Sequence, residues 1–488
     1  MPLILLVADG ARFDTIDAAT RAGSLAPLPA LAQLRSEGAL HPVTTAFPSV
    51  TGVAYAPFLT GRLPGPCGLP GLRWFDRSHT RCRRFPYARS YLGAEMRHLD
   101  EDLDPSHPTI FELAPSRYNA MSMLGRGTRS NERLGRDART LVRAAYTHWI
   151  GNVDGWIALD EHVARVSTQH IIERRPDFAC VALLGLDKAS HTAGHDSAVA
   201  RRALATIDTA VRDLRAALES AGRWSDTQLW IVSDHGHSAV HAHDDLAALV
   251  RASDHRVLAH PWLFARGEAV AVMVSGNAMA HLYVELHRRE RAGWSTLRER
   301  WEPLVRTLLA RDSVDLVMLP IDGARTEVRA RDRGSAIITA TKGRYSYRAL
   351  DGDPLGVGLE LQNVRASDAF DALASGDYPD AVVQIAQLAS CSRSGDIIVS
   401  ATPGWDFRER WEPVKHASTH GSLHRDHMIV PLLVSKPVSG TARRTADVMP
   451  SALDALGLPA ASDLDGRSFM QSERASSGRA AAPTTPPR

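Results

Sequence analysis

Seven side chains scattered along this chain are of the kinds that hold two cations around one hydroxyl. Asp9 closes the apolar run LILLVA. Thr51 lies in SVTG, Asp187 and His191 in LLGLDKASH, Asp234 and His235 in WIVSDHGH, and His420 in STHGS. Asp187 and His191 are four residues apart, so a helical turn puts both on one face. A carboxylate and an imidazole there suit a zinc-like ion. Asp234 and His235 are adjacent, and Gly236 lets the chain turn so that both reach one ion. A single Asp or His more often caps a helix or sits solvated on the surface. DxxxH and DHG together, each closing an apolar run, are poorly explained that way. Two divalent ions about 4 Å apart stabilise the attacking and leaving oxygens of an in-line displacement. A coordinated hydroxyl also loses its proton more readily, so a threonine can attack without a histidine base.

The elements that must position these groups are readable as short apolar runs. Leu3–Ala8, Phe178–Leu184, Gln228–Ser233 and Met428–Ser435 read as buried strands. Ala198–Ala221 reads as a helix, with Ala203, Ile207, Ala210, Val211 and Leu214 on one face. The alternation implies an α/β fold with a mostly parallel central sheet sandwiched by helices. Such sheets gather ligands at the carboxyl ends of their strands, where Asp9, Asp187 and Asp234 fall. From about residue 246 the character changes. Ala269–Val274 and Ala280–Glu285 read as strands, Ser295–Arg311 as a helix. Ser335–Ala340 and Arg344–Ala349 read as a hairpin through Thr341-Lys342-Gly343. Residues 246–395 are therefore expected to form an inserted α+β subdomain or cap. The core would comprise 1–245 and 396–470, re-entered at Asp396–Ser400. The small, polar, proline-rich stretch 471–488 is expected to be a disordered tail.

Bulk properties narrow the function classes. The chain has 488 residues, 44% hydrophobic and 23% charged, as in a soluble globular protein. A net charge of +2 argues against a nucleic-acid polymer as partner. Cys67, Cys82, Cys180 and Cys391 show no CxxC spacing, which argues against a thiolate zinc site. Neither a secretory signal pattern nor an apolar run of about 18 residues is seen, so the expected location is the cytoplasm.

The motifs in order resemble the type I phosphodiesterase and nucleotide pyrophosphatase branch of the alkaline phosphatase superfamily. VADG, SVTGVAYAPFLTG, LDKASH, VSDHGH and THGS match that family's segments from residue 9 to residue 421. The closing ADVMPSALDALGLP and DGRSF also resemble the end of its core domain. The resemblance implies one metal on Asp187, His191 and His420, and another on Asp9, Asp234 and His235. It implies Thr51 as nucleophile, because Thr51 stands nine residues before Thr60-Gly61. A phospho-threonine forms and is then hydrolysed. Thr51 is also expected to cap a helix beginning at Gly52, where an anion is favoured. Ser49 and Thr45 are the competing hydroxyls. Ala54 stands where the family often has a phosphate-contacting Asn. Zinc is the expected ion and manganese is compatible with the ligand mix. The implied activity is hydrolysis of a small-molecule phosphate ester, with a diester or pyrophosphate bond favoured and a phosphomonoester the alternative. The CxPxR-type signature of sulfatases is absent, since Cys67-Gly-Leu-Pro70 has the wrong spacing.

Further residues could shape specificity. Eight arginines lie between Arg62 and Arg97, interleaved with Trp74, Phe75, Phe85, Tyr87 and Tyr91. They are read either as a solvated surface or as a substrate wall. Arg73 and Arg126 are the specific candidates for gripping an anion, and His195 for touching substrate. A peripheral membrane contact, with lipid-linked phosphates as substrates, rests on the same region. His237, His241 and His243 are read as a solvated loop, and His424 and His427 as groups orienting His420. The oligomeric state is not readable.

Overall fold

The structure is a computed structural model that describes residues 1–79, 88–260, 269–409, 412 and 414–470. It is an α/β fold in which two mixed sheets are flanked by helices. The first sheet has seven strands. In spatial order these are Ala39–Thr44, Ile429–Val434, Gln228–Val232, Leu3–Ala8, Phe178–Leu183, Arg117–Ala120 and Arg133–Leu134. Ile429–Val434 runs antiparallel to both neighbours, and the remaining pairs are parallel. Leu3–Ala8 is buried along its whole length. Leu3, Leu5 and Val7 enter one apolar cluster with the Tyr55–Thr60 and Val448–Leu456 helices. Ile4, Leu6 and Ala8 enter another with the Val153–Arg174 and Ala198–Ser220 helices. A strand covered on both faces must be apolar at every position, and so it appears as an unbroken run in the sequence.

The second sheet has nine strands, in the order Val257–Leu258, Val270–Ser275, Met279–Val284, Ile397–Ala401, Val314–Pro320, Arg325–Ala330, Gly334–Thr341, Arg344–Gly352 and Leu361–Arg365. The expected hairpin is present. Thr341 pairs with Arg344 across Lys342 and Gly343, both at positive φ. The Asp396–Ser400 stretch does not return to the first sheet. Ile397–Ala401 lies in the middle of the second, antiparallel to Met279–Val284 and to Val314–Pro320. A fully apolar run announces a buried central strand but not which sheet receives it. The Trp294–Leu309 helix covers one face and the Ala381–Ser390 helix the other. The first sheet's core continues into the second through Ala271, Met273 and Tyr283. Among the described residues no helix is long and apolar enough to cross a membrane. The 471–488 stretch lies outside the described residues.

Candidate active site

The strand ends deliver the acids as the alternation required. Asp9 follows Leu3–Ala8, Asp234 follows Gln228–Val232 by one residue, and Asp187 lies on the Gly185–Ala193 helix just after Phe178–Leu183. These strands are parallel neighbours, so their ends converge. His191 lies one helical turn beyond Asp187, with Nε2 3.2 Å from Asp187 Oδ1. His420 arrives from the far end of the chain, its Nε2 3.6 Å from the same oxygen. His235 Nε2 stands 3.5 Å from Asp9 Oδ1 and 3.3 Å from Asp234 Oδ2. The His235 and His420 rings stack with centroids 3.5 Å apart, joining the two halves.

Thr51 is the hydroxyl aimed into this cluster. Its Oγ1 is 3.0 Å from His235 Nε2 and 3.4 Å from Asp9 Oδ1. The competing hydroxyls are turned away and buried. Ser49 Oγ donates to the Ser422 carbonyl at 2.9 Å, and Thr45 Oγ1 donates to the Asp234 carbonyl. The expected helix cap does not exist. Gly52 has φ +87, and the short Tyr55–Thr60 helix starts four residues after Thr51. Thr51 therefore sits in a turn, and the helix-terminus argument for anion binding does not apply. Tyr55, one turn further, donates its hydroxyl to Asp9 Oδ2 at 3.2 Å, a contact that sequence reasoning missed.

The histidines are oriented by backbone. Nδ1 of His191, His420 and His235 meets the carbonyls of Ser418 (2.9 Å), Ser49 (2.8 Å) and Gly236 (3.2 Å). A carbonyl only accepts, so each neutral ring carries its proton on Nδ1 and presents the Nε2 lone pair. Burial pushes His235 and His420 well below the ordinary imidazole range, and His191 below it, so the rings stay neutral. Burial and the charge of Asp187 push Asp234 up to about 8. Burial, then Asp234 and Asp187, hold Asp9 well above the usual carboxylate range. Asp187 goes the other way. Burial works to raise it, but the charge of Lys188 holds it well below. Asp234 Oδ2 is buried without a hydrogen-bond partner. Crowded carboxylates, an orphaned oxygen and three inward-facing imidazole lone pairs are what divalent ions would satisfy. Three donor clusters meet here: Asp9, Asp234 and His235; Asp187, His235 and His420; and Asp187, His191 and His237. In each, the donor atoms lie within 4.8 Å of one another. The donor set has the composition of a two-metal site.

The model of the type I phosphodiesterase / nucleotide pyrophosphatase family matches residues 3–423. The chain belongs to this family. As a type I phosphodiesterase-family protein it is a metal-dependent hydrolase of phosphate esters. Solved structures similar to it include phosphonoacetate hydrolase from Sinorhizobium meliloti 1021, in complex with phosphonoformate. That pair shows 17% identity and a TM-score of 0.56, covering 93% of this chain and 96% of that one. Murine ectonucleotide pyrophosphatase/phosphodiesterase 5, as an inactive variant with AMP, shows 13% identity and a TM-score of 0.55 over 94% and 96% of the two chains. The human protein of that name shows 14% identity, the same TM-score and the same coverage. At these identities the likeness concerns the fold. No curated protein matches the chain.

Within this phosphodiesterase-family site, several residues differ from expectation. His237 is not solvated. It is fully buried, and its Nε2 donates to Asp187 Oδ1 at 2.9 Å while Nδ1 meets Ser418 Oγ at 3.2 Å. A carboxylate only accepts, so Nε2 carries the proton and His237 orients Asp187. His241 is exposed, and His243 Nδ1 lies 3.4 Å from Asp406 Oδ1. His424 and His427 do not orient His420. His424 caps the Arg425–Met428 helix, and His427 braces Ser422 (2.7 Å) and Ser238 (2.8 Å). His195 stays near the cluster, Nδ1 3.5 Å from Ser418 Oγ and Nε2 3.2 Å from Asp196.

The proposed anion grips are engaged elsewhere. Arg73 is buried against Glu409. Arg126 bonds Glu112 at 3.0 Å and the carbonyls of Leu103, Asp104 and His107, stapling a loop. Arg62, Arg77 and Arg89 pair with Asp463, Asp396 and Asp102. Trp74 donates to the Tyr91 hydroxyl inside the core. Of the remaining wall residues, Arg81, Arg83, Arg84, Phe85 and Tyr87 lie outside the described residues. Two polar features went unread in the sequence. Lys188 Nζ contacts Asp187 Oδ2 at 2.7 Å. His416 is bound through Nδ1 to Asp406 at 2.9 Å and lies against His191 with ring centroids 4.2 Å apart.

Proposed function

We propose that this protein hydrolyses phosphate diesters or pyrophosphate bonds through a phospho-threonine on Thr51. Asp187, His191 and His420 would hold one divalent ion, and Asp9, Asp234 and His235 the other. Zinc suits this donor mix and manganese is compatible. When bound, the ions supply Lewis acidity at the Thr51 hydroxyl and at the phosphoryl and leaving oxygens. The chain does the rest. Asp9 and His235 bracket Thr51 Oγ1, so the attacking atom is placed before substrate arrives. Tyr55 fixes the Asp9 carboxylate, and His237 with Lys188 fixes Asp187. Attack displaces the alcohol or phosphate leaving group, and water then releases phosphate or its monoester from Thr51.

The observation that carries this reading is the contact of one partly exposed hydroxyl with both Asp9 and His235, while Ser49 and Thr45 are buried and committed. The alternative is a phosphomonoesterase on the same core. A panel of a nitrophenyl phosphodiester, a nitrophenyl phosphate, a nucleotide and phosphonoacetate, with and without chelator and beside elemental analysis, decides between them. Diester turnover should exceed monoester turnover and vanish with chelation. Thr51→Ala should lower turnover by about 10³-fold or more while metal content stays. Turnover retained in Thr51→Ala, or surviving complete metal removal, rejects the mechanism.

A further inference from the structure

The Ala138–Trp149 helix follows the edge strand Arg133–Leu134 and leaves an apolar stripe uncovered. Val142 is 69% exposed, Tyr146 65%, Trp149 68%, and Ile150, at the helix end, 48%. Steps of four, then three or four, put them on one face. Scattered exposed apolar side chains are ordinary, whereas four large ones along one stripe mark a contact surface. Residues 138–149 include Arg139 and Arg143 and no Asp or Glu. Both arginines are exposed, and neither is in an ion pair with a described residue. The chain just past the stripe packs against the segment that leads to His420. Gly151 lies against Val414, beside the exposed Lys415.

We propose that this helix is an interfacial anchor that seats the protein on an anionic lipid surface. Aromatic side chains with polar tips, an apolar ridge and unopposed arginines are the composition such an interface selects. A second copy fits worse, because a two-fold contact would bring the same helix, which has no Asp or Glu in residues 138–149, against Arg139 and Arg143. Resting on the catalytic reading above, the docked orientation makes phosphate esters held in the bilayer the natural substrates.

The test is co-sedimentation of the full chain with vesicles of phosphatidylcholine alone or containing phosphatidylserine, at low and high salt. Binding should require the anionic lipid and weaken with salt. Arg139→Gln and Arg143→Gln should each reduce it by about fivefold. Tyr146→Ser with Trp149→Ser should reduce it by about tenfold or more, with unchanged thermal melting. Absence of sedimentation, equal binding to neutral vesicles, or binding untouched by these changes overturns the proposal. So does a dimer in light scattering that Trp149→Ser dissolves. Hydrolysis of a soluble diester by the same proteins is the separate control. Its loss in the unaltered protein removes the catalytic reading and leaves the anchor standing, whereas lost vesicle binding with intact hydrolysis removes the anchor alone.

Discussion

His237 decides how Asp187 faces its partners. Its Nε2–H occupies one side of Asp187 Oδ1 while Lys188 holds Oδ2 at 2.7 Å. Removing such an outer support should weaken a metal site by about 10–100-fold. His237→Ala is therefore expected to lower metal affinity by that factor in a chelator competition while Thr51 stays in place. Unchanged affinity would reduce His237 to packing. Glu409 is a different kind of buried group. Burial lifts its carboxyl to about 7 despite the charge of Arg73, from an ordinary 4.5. The folded protein then keeps a proton that the unfolded chain releases. The stability from this group is present below about pH 4.5 and is lost as pH rises through about 7. Glu409→Gln should flatten the fall of denaturation midpoints over that range, and an unchanged slope would assign it to other groups. At this scale the sequence was most legible where chemistry and spacing were local. Asp187 and His191 share one helical turn, and Asp9 and Asp234 end apolar runs. The His237–Asp187 contact spans 50 residues, so no spacing revealed it. Arg73 and Arg126 look identical in sequence whether they grip a substrate or staple a loop.

Turns, rather than helices or strands, finish the site. Gly276 and Asn277 connect Val270–Ser275 to Met279–Val284, both at positive φ. Asn277 forms a bridge with His420, and Ala278 N–H donates to the His420 carbonyl at 3.0 Å. A Cβ at Gly276 would come within 2.3 Å of Val50 Cγ1 and 3.0 Å of the His420 carbonyl oxygen. The turn thus presses on the residue before Thr51 and carries the backbone of a candidate ligand. Gly276→Ala adds a left-handed strain of about 1–2 kcal/mol to that collision. It should lower the melting temperature and, by shifting Val50, lower turnover further than the stability loss explains. Normal turnover in a correctly folded Gly276→Ala protein would show that Thr51 tolerates the shift. Element types were legible from apolar runs, but element placement was not. Ile397–Ala401 reads the same whether it joins the first sheet or the second, because both bury it on two faces. The turn at Gly52 was obscured because SVTGVAYAPFLTG reads as one helical stretch until a positive φ breaks it.

At the scale of the molecule, the second sheet's helices hold the loop that carries Thr51. From the Ala381–Ser390 helix, Gln384 Oε1 accepts the Phe47 N–H at 2.9 Å. Gln387 Oε1 accepts the Gly65 N–H, and its Nε2 donates to the Phe47 carbonyl, both at 2.6 Å. Asp380, just before that helix, receives Arg444 Nε at 2.7 Å from the C-terminal part of the chain. The segment from Phe47 to Gly65 is therefore clamped across a sequence separation of more than 300 residues. The hydroxyl at position 51 depends for its place on residues that carry none of the metal-ligand candidates. Gln387→Ala leaves the Gly65 N–H and the Phe47 carbonyl without these partners inside the protein, at about 1–3 kcal/mol for each unsatisfied group. Denaturant unfolding should show that loss. Turnover should fall at temperatures where the protein is still folded, because Thr51 lies inside the clamped segment, whereas the candidate ligands Asp9, Asp187, Asp234 and His235 stand on other elements. Restoring the amide with Asn, one methylene short, should recover neither contact fully. If Gln387→Ala loses stability but keeps full turnover, the loop holds Thr51 without the clamp, and the second sheet's role is confined to delivering His420.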